Sequence, residues 1–470
     1  MSGDAAEIRQ PKEALVIPPE EHPVREEDID PDALAILRRL RDAGHAGYLV
    51  GGGVRDLYIG KKPKDFDIST DAHPGQLRKI FRNSRTIGRR FRLVQIFFRD
   101  NKVIEVSTLR SQSEYDEDGA PDQVLPSNNT FGTLEEDAFR RDLTINSLFY
   151  EIENKTVIDY VGGVQDLTDG IVRLVGDPDR RIIRDPVRML RAVRHAARAG
   201  FTIEAETWEA IVRHRDKLEL CPPSRLRDEL LKDLQSGKSR AWLELALETG
   251  IFAVLFPSYS GLLNGPDGAE VKAELAALLS AADRICSEGG KLGKVLFDDA
   301  LLFALLLHPW AKRQFGLPQP DAKLARRLSS TVRDGLDAAF SLRLSLPRAV
   351  LDTITVLFIN SSVFQDCART GKWPGWMKKK SYFHDCSRFA VCLNEAEGGA
   401  EADLSLFVKI LPPSSRPPQP AAPVAADREA VFVSVESSGG RSGGGGSPAF
   451  NGSPEGVFGL RKDGVNLRLF

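Results

Sequence analysis

The sequence lacks the features that mark membrane-spanning and secreted proteins. No apolar run approaches the roughly 18–20 residues needed to cross a bilayer, and the N-terminal residues are charged and proline-rich, without the apolar core of a signal peptide. Cysteine is scarce: there are five in 470 residues, an odd number without a C-x-x-C pair. This pattern indicates reduced thiols and argues against a zinc site or a disulfide framework. We therefore expect a cytoplasmic protein with no membrane partner.

The chain also lacks an excess of charge of either sign. It has 64 Lys and Arg against 66 Asp and Glu, which gives a formal net charge of −2. Any surface that binds nucleic acid must then come from local clustering of basic residues. Hydrophobic residues make up 42% of the chain, which is enough for real cores, and the length allows about three domains.

The most informative stretch runs from Tyr48 to Thr70, YLVGGGVRDLYIGKKPKDFDIST. It is typical of a short strand, a glycine run at 51–53, a helical turn and a second strand that carries Asp65 and Asp67. Two aspartates spaced by two on a strand project from one side of the sheet, and such carboxylates can share two Mg²⁺ ions about 3.5–4 Å apart. Glycines let a ligand approach the backbone, and the first amides of a helix favour an anion. The stretch predicts a place where phosphates and metal meet.

The order of strand, GGGVRD, DFD and strand resembles motif A of the class II nucleotidyltransferases, the family of tRNA CCA-adding enzymes and bacterial poly(A) polymerases. The later segment RTIGRRFRLVQIFF, residues 85–98, resembles the GRRFRL signature by which the poly(A) polymerases differ from their CCA-adding relatives, although Gln95 stands where that signature usually has histidine. By themselves, the four arginines of this segment are equally well explained as part of a solvated loop or as a positively charged rim that binds triphosphate or RNA.

A second cluster of matching residues follows in the helix predicted after Thr133. Arg140, Arg141 and Asp142, followed by Thr144 and Asn146, match the family's motif B, RRD-x-T-x-N. Arginines can hold triphosphate oxygens, and a carboxylate can accept a hydrogen bond from a ribose hydroxyl. Taken alone, RRD is more often an exposed ion pair on a helix.

From Ile183 onward the pattern is helical, and the segment 184–200 carries basic side chains every three or four residues opposite an apolar face. A stripe of one sign without acidic partners repels itself, which points to an anionic ligand. The segment resembles motif D, the E-D-x-x-R element that reads the incoming base in CCA-adding enzymes. Asp185 and Arg188 match it, but Arg184 replaces the glutamate and His195 replaces a common aromatic residue. These departures argue against a two-base protein template.

The resemblance implies template-independent transfer of AMP from ATP to an RNA 3′-hydroxyl, with release of pyrophosphate and two Mg²⁺ ions as cofactors. Asp65 and Asp67 would hold metal. Glu105 lies in an apolar strand predicted at 102–109, where an unpaired carboxylate is costly, and it would either complete the ligand set or take the proton from the attacking hydroxyl. The substrate-binding residues implied in the same way are Gly51, Gly52, Arg55, Arg90, Arg140, Arg141, Asp142, Asn146, Asp185, Arg188 and Arg191.

The predicted fold is α+β: a nucleotidyltransferase head with a mixed β-sheet and helices, followed by an all-α neck and body. In the body, the segment WPGWMKKK offers indoles that can stack on bases and lysines that can contact phosphates, or else a buried tryptophan pair beside a helix end. We expect a monomer. The predicted boundaries are 1–28 for a disordered extension, 29–177 for the head, 178–240 for the neck, 241–410 for the body and 411–470 for a disordered low-complexity tail.

Two other functions remain open. A CCA-adding or A-adding tRNA nucleotidyltransferase would share every catalytic residue, and only the GRRFRL signature and the altered motif D argue against it. A catalytically inactive RNA-binding protein on the same scaffold would be expected to lose its carboxylates first, yet all three are present. Transfer of nucleotides to small molecules would not need the long basic neck.

Overall fold

The N-terminal part of the protein is built on a mixed sheet of eight strands. The structure, a computed structural model, describes residues 13–88, 93–111, 131–295, 297–317 and 327–409. The spatial order of the strands is β1-β8-β7-β2-β3-β6-β5-β4, and only the β3–β6 pair is parallel. The strands are β1 Leu15–Ile17, β2 Gly47–Val50, β3 Asp67–Thr70, β4 Ser84–Ile87, β5 Leu93–Phe97, β6 Val103–Thr108, β7 Leu148–Glu151 and β8 Thr156–Asp159.

The register of the central strands separates a core face from a polar face. Ile68, Val94 and Val106 lie opposite one another on β3, β5 and β6 and are fully buried. One residue earlier on β3 and β6, Asp67 lies opposite Glu105. Because successive side chains alternate between the two faces of a sheet, both carboxylates project away from the core. The strand predicted around Glu105 is confirmed. The prediction that Asp65 lies on the same strand as Asp67 is wrong, because β3 begins at Asp67 and Asp65 precedes it.

The helices of the head begin with the local signals that the sequence carries. The first helix starts at Pro31, and the Asp30 side chain accepts hydrogen bonds from the amides of Asp32 and Ala33, which caps the helix. Its apolar residues Ile36, Leu37 and Leu40 are buried. The helices of the head are α1 Pro31–Asp42, α2 Gly52–Tyr58, α3 Pro74–Ile80, α4 Leu134–Arg140 and α5 Gly163–Asp169, with a 3₁₀ turn at Thr144–Asn146.

Residues 13–28 depart from the predicted disorder. The strand β1 pairs antiparallel with β8, and the His22 imidazole donates a hydrogen bond to the Lys155 carbonyl at 2.8 Å. Ile17 and Val24 are buried. The acidic, proline-rich composition concealed these apolar side chains, whose burial at the sheet edge holds the segment in place. Residues 1–12 and the predicted tail at 411–470 lie outside the described residues.

Beyond the head, the described chain is mainly helical, as predicted. Short two-residue strands also occur: β9 Ile171–Val172, near the end of the head, pairs with β10 Thr202–Ile203, and β11 Lys294–Val295 pairs with β12 Val408–Lys409. None of the described helices is long and apolar enough to cross a membrane. The helices are α6 Pro178–Arg184, α7 Val187–Ala199, α8 Ala205–His214, α9 Pro223–Leu234, α10 Ser239–Glu248, α11 Ile251–Leu255, α12 Ser260–Leu263, α13 Gly268–Leu292, α14 Asp299–Phe315, α15 Ser329–Leu336, α16 Leu342–Leu344, α17 Arg348–Thr370 and α18 Phe383–Ala396.

Candidate active site

Two of the predicted catalytic carboxylates face each other across the parallel strands β3 and β6. The pKa of Asp67 is raised, chiefly by burial and next by the neighbouring Glu105. Like charges opposite each other on a sheet are destabilising, and the guanidinium of Arg141 only partly opposes this effect. Hard oxygen donors crowded in this way are suited to a divalent cation such as Mg²⁺.

Asp65 lies to one side of this pair. It lines a cavity of about 310 Å³ together with Lys62, Lys64 and Phe66, whereas Asp67 and Glu105 line a neighbouring cavity of about 420 Å³. Within the described ranges, no group of three or more His, Cys, Asp or Glu side chains is arranged to hold a metal ion. The structure thus brings Asp67 and Glu105 together and places Asp65 in the adjacent cavity.

Gln95 on β5 holds the carboxylate of Glu105. The two residues lie opposite each other in the antiparallel register, and the Gln95 Nε2 donates a hydrogen bond to the Glu105 Oε1 at 3.0 Å. This bond leaves the other carboxylate oxygen available. The sequence marked Gln95 only as a departure from a signature, and the signal for its role is the period of two that places it on the same face as the carboxylates.

The predicted arginines of α4 are held by a buried carboxylate that sequence reasoning missed. Asp137 accepts a hydrogen bond from Arg140 Nε at 2.7 Å and another from Arg141 Nη2 at 2.8 Å. Burial opposes ionisation, yet the two guanidinium groups hold the pKa of Asp137 below its usual range. The spacing of three and four residues on a helix was the available signal. Both guanidinium groups are thereby fixed in the wall of the cavity that holds Asp67.

Asp142 connects the head to the helix α7. One of its carboxylate oxygens accepts a hydrogen bond from the amide of Leu143, and the other accepts one from the Nε of Arg191. Although burial acts in the opposite direction, Arg191 holds the pKa of Asp142 far below its usual range. The pair lines the same cavity as Asp67 and Glu105.

Arg55, Asn146 and His195 form a second contact between the head and α7. The Nη1 of Arg55 donates to the Asn146 Oδ1 at 2.6 Å and to the His195 Nδ1 at 3.2 Å. Gly51, with a φ of 70°, makes the turn into α2 that aims Arg55 inward. A side chain at this φ would be strained, which explains the glycine.

The predicted basic stripe of α7 has acidic partners, contrary to the sequence-based expectation. Arg191 pairs with Asp142, and Arg188 Nε lies 3.9 Å from Asp185 Oδ2. Asp142 comes from another element and therefore could not be seen in the helix itself. The charge of the stripe is thus used in part within the fold, and the prediction that it has no acidic partners is wrong. Arg194, which is not part of the predicted stripe, is buried against Asp233 at 2.5 Å and Glu229 at 2.6 Å.

The remaining predicted residues of the neck lie at the same cavity. Asp185 Oδ2 accepts a hydrogen bond from Arg225 Nη2 at 2.9 Å, and Arg188 Nε lies 3.9 Å from the same oxygen. Arg225 and Glu229 also line this cavity. Arg90 lies outside the described residues. The predicted residues that line the cavity are Asp67, Glu105, Arg140, Arg141, Asp142, Asp185, Arg188 and Arg191.

Comparison with known proteins agrees with this arrangement. Residues 47–173 match the family model of the poly A polymerase head domain, and residues 200–262 match that of a probable RNA and SrmB-binding site of polymerase A. These two segments are therefore similar to poly(A) polymerases of the class II nucleotidyltransferase superfamily, and the predicted α+β head with helical neck and body is confirmed.

Relatives of known name are similar to about half or more of the chain. The poly(A) polymerase I of Salmonella typhi is 45% identical over 298 residues, which cover 62% of this chain and 63% of the relative. That of Escherichia coli O157:H7 is 49% identical over 252 residues, covering 52% and 54%. The CCA-adding enzyme of Bacillus subtilis is 38% identical over 223 residues, covering 47% and 55%. The chain thus spans less than two thirds of the length of these relatives.

A solved structure shares the fold over a longer stretch. The crystal structure of the Bacillus stearothermophilus CCA-adding enzyme in complex with CTP aligns with a TM-score of 0.58 and 25% identity, covering 79% of this chain and 80% of that one. The similarity extends beyond the two segments matched by the family models and includes helices of the body.

Proposed function

We propose that the protein is a template-independent RNA 3′-end adenylyltransferase, a poly(A) polymerase that transfers AMP from ATP to an RNA 3′-hydroxyl and releases pyrophosphate. The observation that carries the proposal is the cavity in which Asp67 and Glu105 face the clamped arginines Arg140 and Arg141. The relatives named poly(A) polymerase I are 38–49% identical over 252–298 residues, whereas the CCA-adding enzymes are 35–38% identical over 222–229 residues. We further propose that the enzyme acts as a monomer.

The crowded carboxylates fit a divalent metal. In our proposal two Mg²⁺ ions are held by Asp67 together with Asp65 from the adjoining cavity, and when bound they neutralise charge on the phosphate oxygens. Glu105 either completes this ligand set or accepts the proton of the attacking hydroxyl. Gln95 fixes its orientation in both cases.

The cationic wall binds the nucleotide. Arg140 and Arg141, held by Asp137, present fixed donors to triphosphate oxygens, a geometry to which guanidinium groups are suited. The loop at Gly51 and Gly52 allows close approach of a phosphate. On the neck side, Asp185 and Arg188 are placed to contact the base. Asp142, Arg191, Arg55 and Asn146 keep the head and neck together around it.

The test is nucleotide incorporation by the purified protein with Mg²⁺. Each NTP is offered alone and in mixture to an oligo(A) RNA and to a tRNA that ends before its CCA, with Asp67→Asn protein as the inactive control. The proposal expects a long ladder with ATP alone on the generic RNA. Addition of C, C and A to the tRNA alone would establish the CCA-adding alternative. Absence of incorporation on both RNAs would leave the RNA-binding alternative.

A further inference from the structure

The turn between α17 and α18 carries a concentration of positive charge. Residues 371–382, GKWPGWMKKKSY, include four lysines and no acidic residue. Lys372, Lys378, Lys379 and Lys380 are exposed. In the described part of the chain, none of them lies within ion-pair distance of a carboxylate. This arrangement differs from that of α7, where Arg191 and Arg194 pair with carboxylates, and leaves four cations available to an external anion.

The two tryptophans of this turn have different environments. Trp373 packs against Phe364 and Phe383, with ring centroids 5.9 and 5.6 Å away. Trp376, in contrast, is 59% exposed, although Met377 beside it is buried. The alternative of a buried pair therefore applies to Trp373 alone. Trp373 and Met377 anchor the turn, and Trp376 presents a wide apolar ring to solvent among the lysines.

The backbone of the turn is held by its own hydrogen bonds. The amide of Met377 donates to the Pro374 carbonyl, that of Lys380 to the Met377 carbonyl and that of Phe383 to the Lys380 carbonyl, each at 3.0 Å. Proline further restricts the chain at this point. A rigid turn presents its side chains at a lower entropic cost on binding than a mobile loop.

We propose that this turn, residues 372–380, is a binding surface for single-stranded RNA, on which a base stacks on Trp376 and the lysines contact the adjacent phosphates. Aromatic stacking combined with basic side chains is the means by which proteins hold single strands without reading their sequence. A growing adenine tract suits such a surface because every base in it has the same large π face. The inference rests on the proposed function for the identity of the nucleic acid.

The surface is separate from the site of chemistry. Neither the segments matched by the family models, 47–173 and 200–262, nor the described lining of the cavity around Asp67 includes any of its residues. It would therefore hold a part of the RNA upstream of the reacting 3′ end. Loss of the surface should weaken the binding of long RNA while the chemical step and the affinity for ATP remain unchanged.

The test measures binding of the full chain to oligo(A) of about 20 nucleotides without ATP, by fluorescence anisotropy at several salt concentrations. Trp376→Ala is expected to weaken binding about tenfold, Trp376→Phe much less, since a ring remains for stacking. Replacement of Lys378, Lys379 and Lys380 by glutamine should make the slope of the logarithm of the association constant against the logarithm of the salt concentration less negative by about 2. Leu292→Ala is the matched control, because Leu292 is also 59% exposed but lies elsewhere on the body.

Unchanged RNA affinity and salt dependence in the Trp376→Ala and lysine variants would overturn the proposal. The alternative ligand of this basic surface would then be an acidic protein. Equal losses for an RNA duplex of the same length would also overturn it, because paired bases cannot stack on the indole. Binding and incorporation are read separately. If the protein binds RNA through Trp376 but incorporates no nucleotide, the proposed polymerase function is refuted and the RNA-binding surface stands. If the protein is active but its RNA binding does not change in these variants, the surface is refuted and the polymerase function stands.

Discussion

His195 on α7 accepts a hydrogen bond from Arg55 on α2, with the Nδ1 and Nη1 atoms 3.2 Å apart. Because an arginine can only donate, the Nδ1 of the imidazole carries no proton. Burial, and next the nearby Arg55, lower the pKa of His195 from 6.5 to about 3. The contact between head and neck therefore depends on a neutral imidazole.

The neutral imidazole predicts acid sensitivity. Between about pH 6.5 and pH 3 His195 is protonated in the unfolded chain but neutral in the folded chain. The free energy of unfolding is therefore unaffected by protonation of His195 above pH 6.5 and decreases as the pH falls below this value, by up to about 1.4 kcal/mol per pH unit. Asp142 favours protonation, while Arg191 and Arg194 oppose it. Urea unfolding at pH values from about 7 to 4 should show a shallower pH dependence for His195→Gln than for the wild type. Parallel curves would contradict this prediction.

Asp67→Asn should abolish activity without unfolding the protein. We expect a loss of at least about 100-fold in incorporation, because a metal ligand at the reacting phosphate is removed. The same change relieves the repulsion between Asp67 and Glu105, so the free energy of unfolding without metal should stay equal or rise by up to about 1 kcal/mol. Calorimetry with and without Mg²⁺ checks both statements, since the ion should raise the melting temperature of the wild type more than that of the variant.

The exposed Asp42→Asn is the control for this experiment and should behave as wild type. Activity of Asp67→Asn close to wild type would refute the metal assignment. Marked destabilisation would instead show that Asp67 has a structural role.

Gln95→Leu tests whether the orientation of Glu105 matters. Leucine has a similar size but cannot donate to the carboxylate, so kcat should fall about tenfold, near the value of a hydrogen bond to a charged group. The KM values for ATP and RNA should change less, because Gln95 is not placed to bind either substrate. Gln95→His retains a donor and should recover much of the rate. Equal rates for the leucine variant and the wild type would show that the bond has no part in the reaction.

Arg194→Met should destabilise the neck strongly. Arg194 is 4% exposed and its guanidinium is the partner of both Asp233 and Glu229, so its removal leaves the buried Asp233 without a counter-charge, while Glu229 retains Lys232. A loss of about 3–5 kcal/mol in the free energy of unfolding is expected. Arg240→Met removes an exposed pair with Glu244 and should cost less than about 1 kcal/mol. Urea titration of both variants gives the comparison, and similar midpoints would contradict it.

The sequence predicted those features that local spacing encodes. The strand around Glu105 and the pair Arg140 and Arg141 needed only neighbouring residues. Asp67 and Glu105 could be placed on strands for the same reason, whereas Asp65, predicted on the same strand as Asp67, precedes β3. Its position in a different cavity from Asp67 depends on the path of the chain before β3, which no spacing specifies.

The contacts that sequence reasoning missed connect residues distant along the chain. Arg194 and Asp233 are 39 positions apart, and Arg55 and His195 are 140 apart. The predicted stripe seemed unpaired because Asp142, the partner of Arg191, lies in the head. The sequence also predicted disorder for the segment that contains β1. This strand of three residues is stabilised by its pairing with β8 and not by the strand propensity of its own residues.

The strand β1 also has a consequence for handling the protein. It covers one side of β8, whose last residue, Asp159, accepts hydrogen bonds from the amides of Val161, Gly162 and Val164 at 2.9 Å and so fixes the start of α5. A shortened chain that began at Ile29 would leave β8 as an open edge, with its amides and carbonyls available to another molecule. Such edges are where chains add to one another and aggregate. An expression boundary placed before Leu15 avoids this.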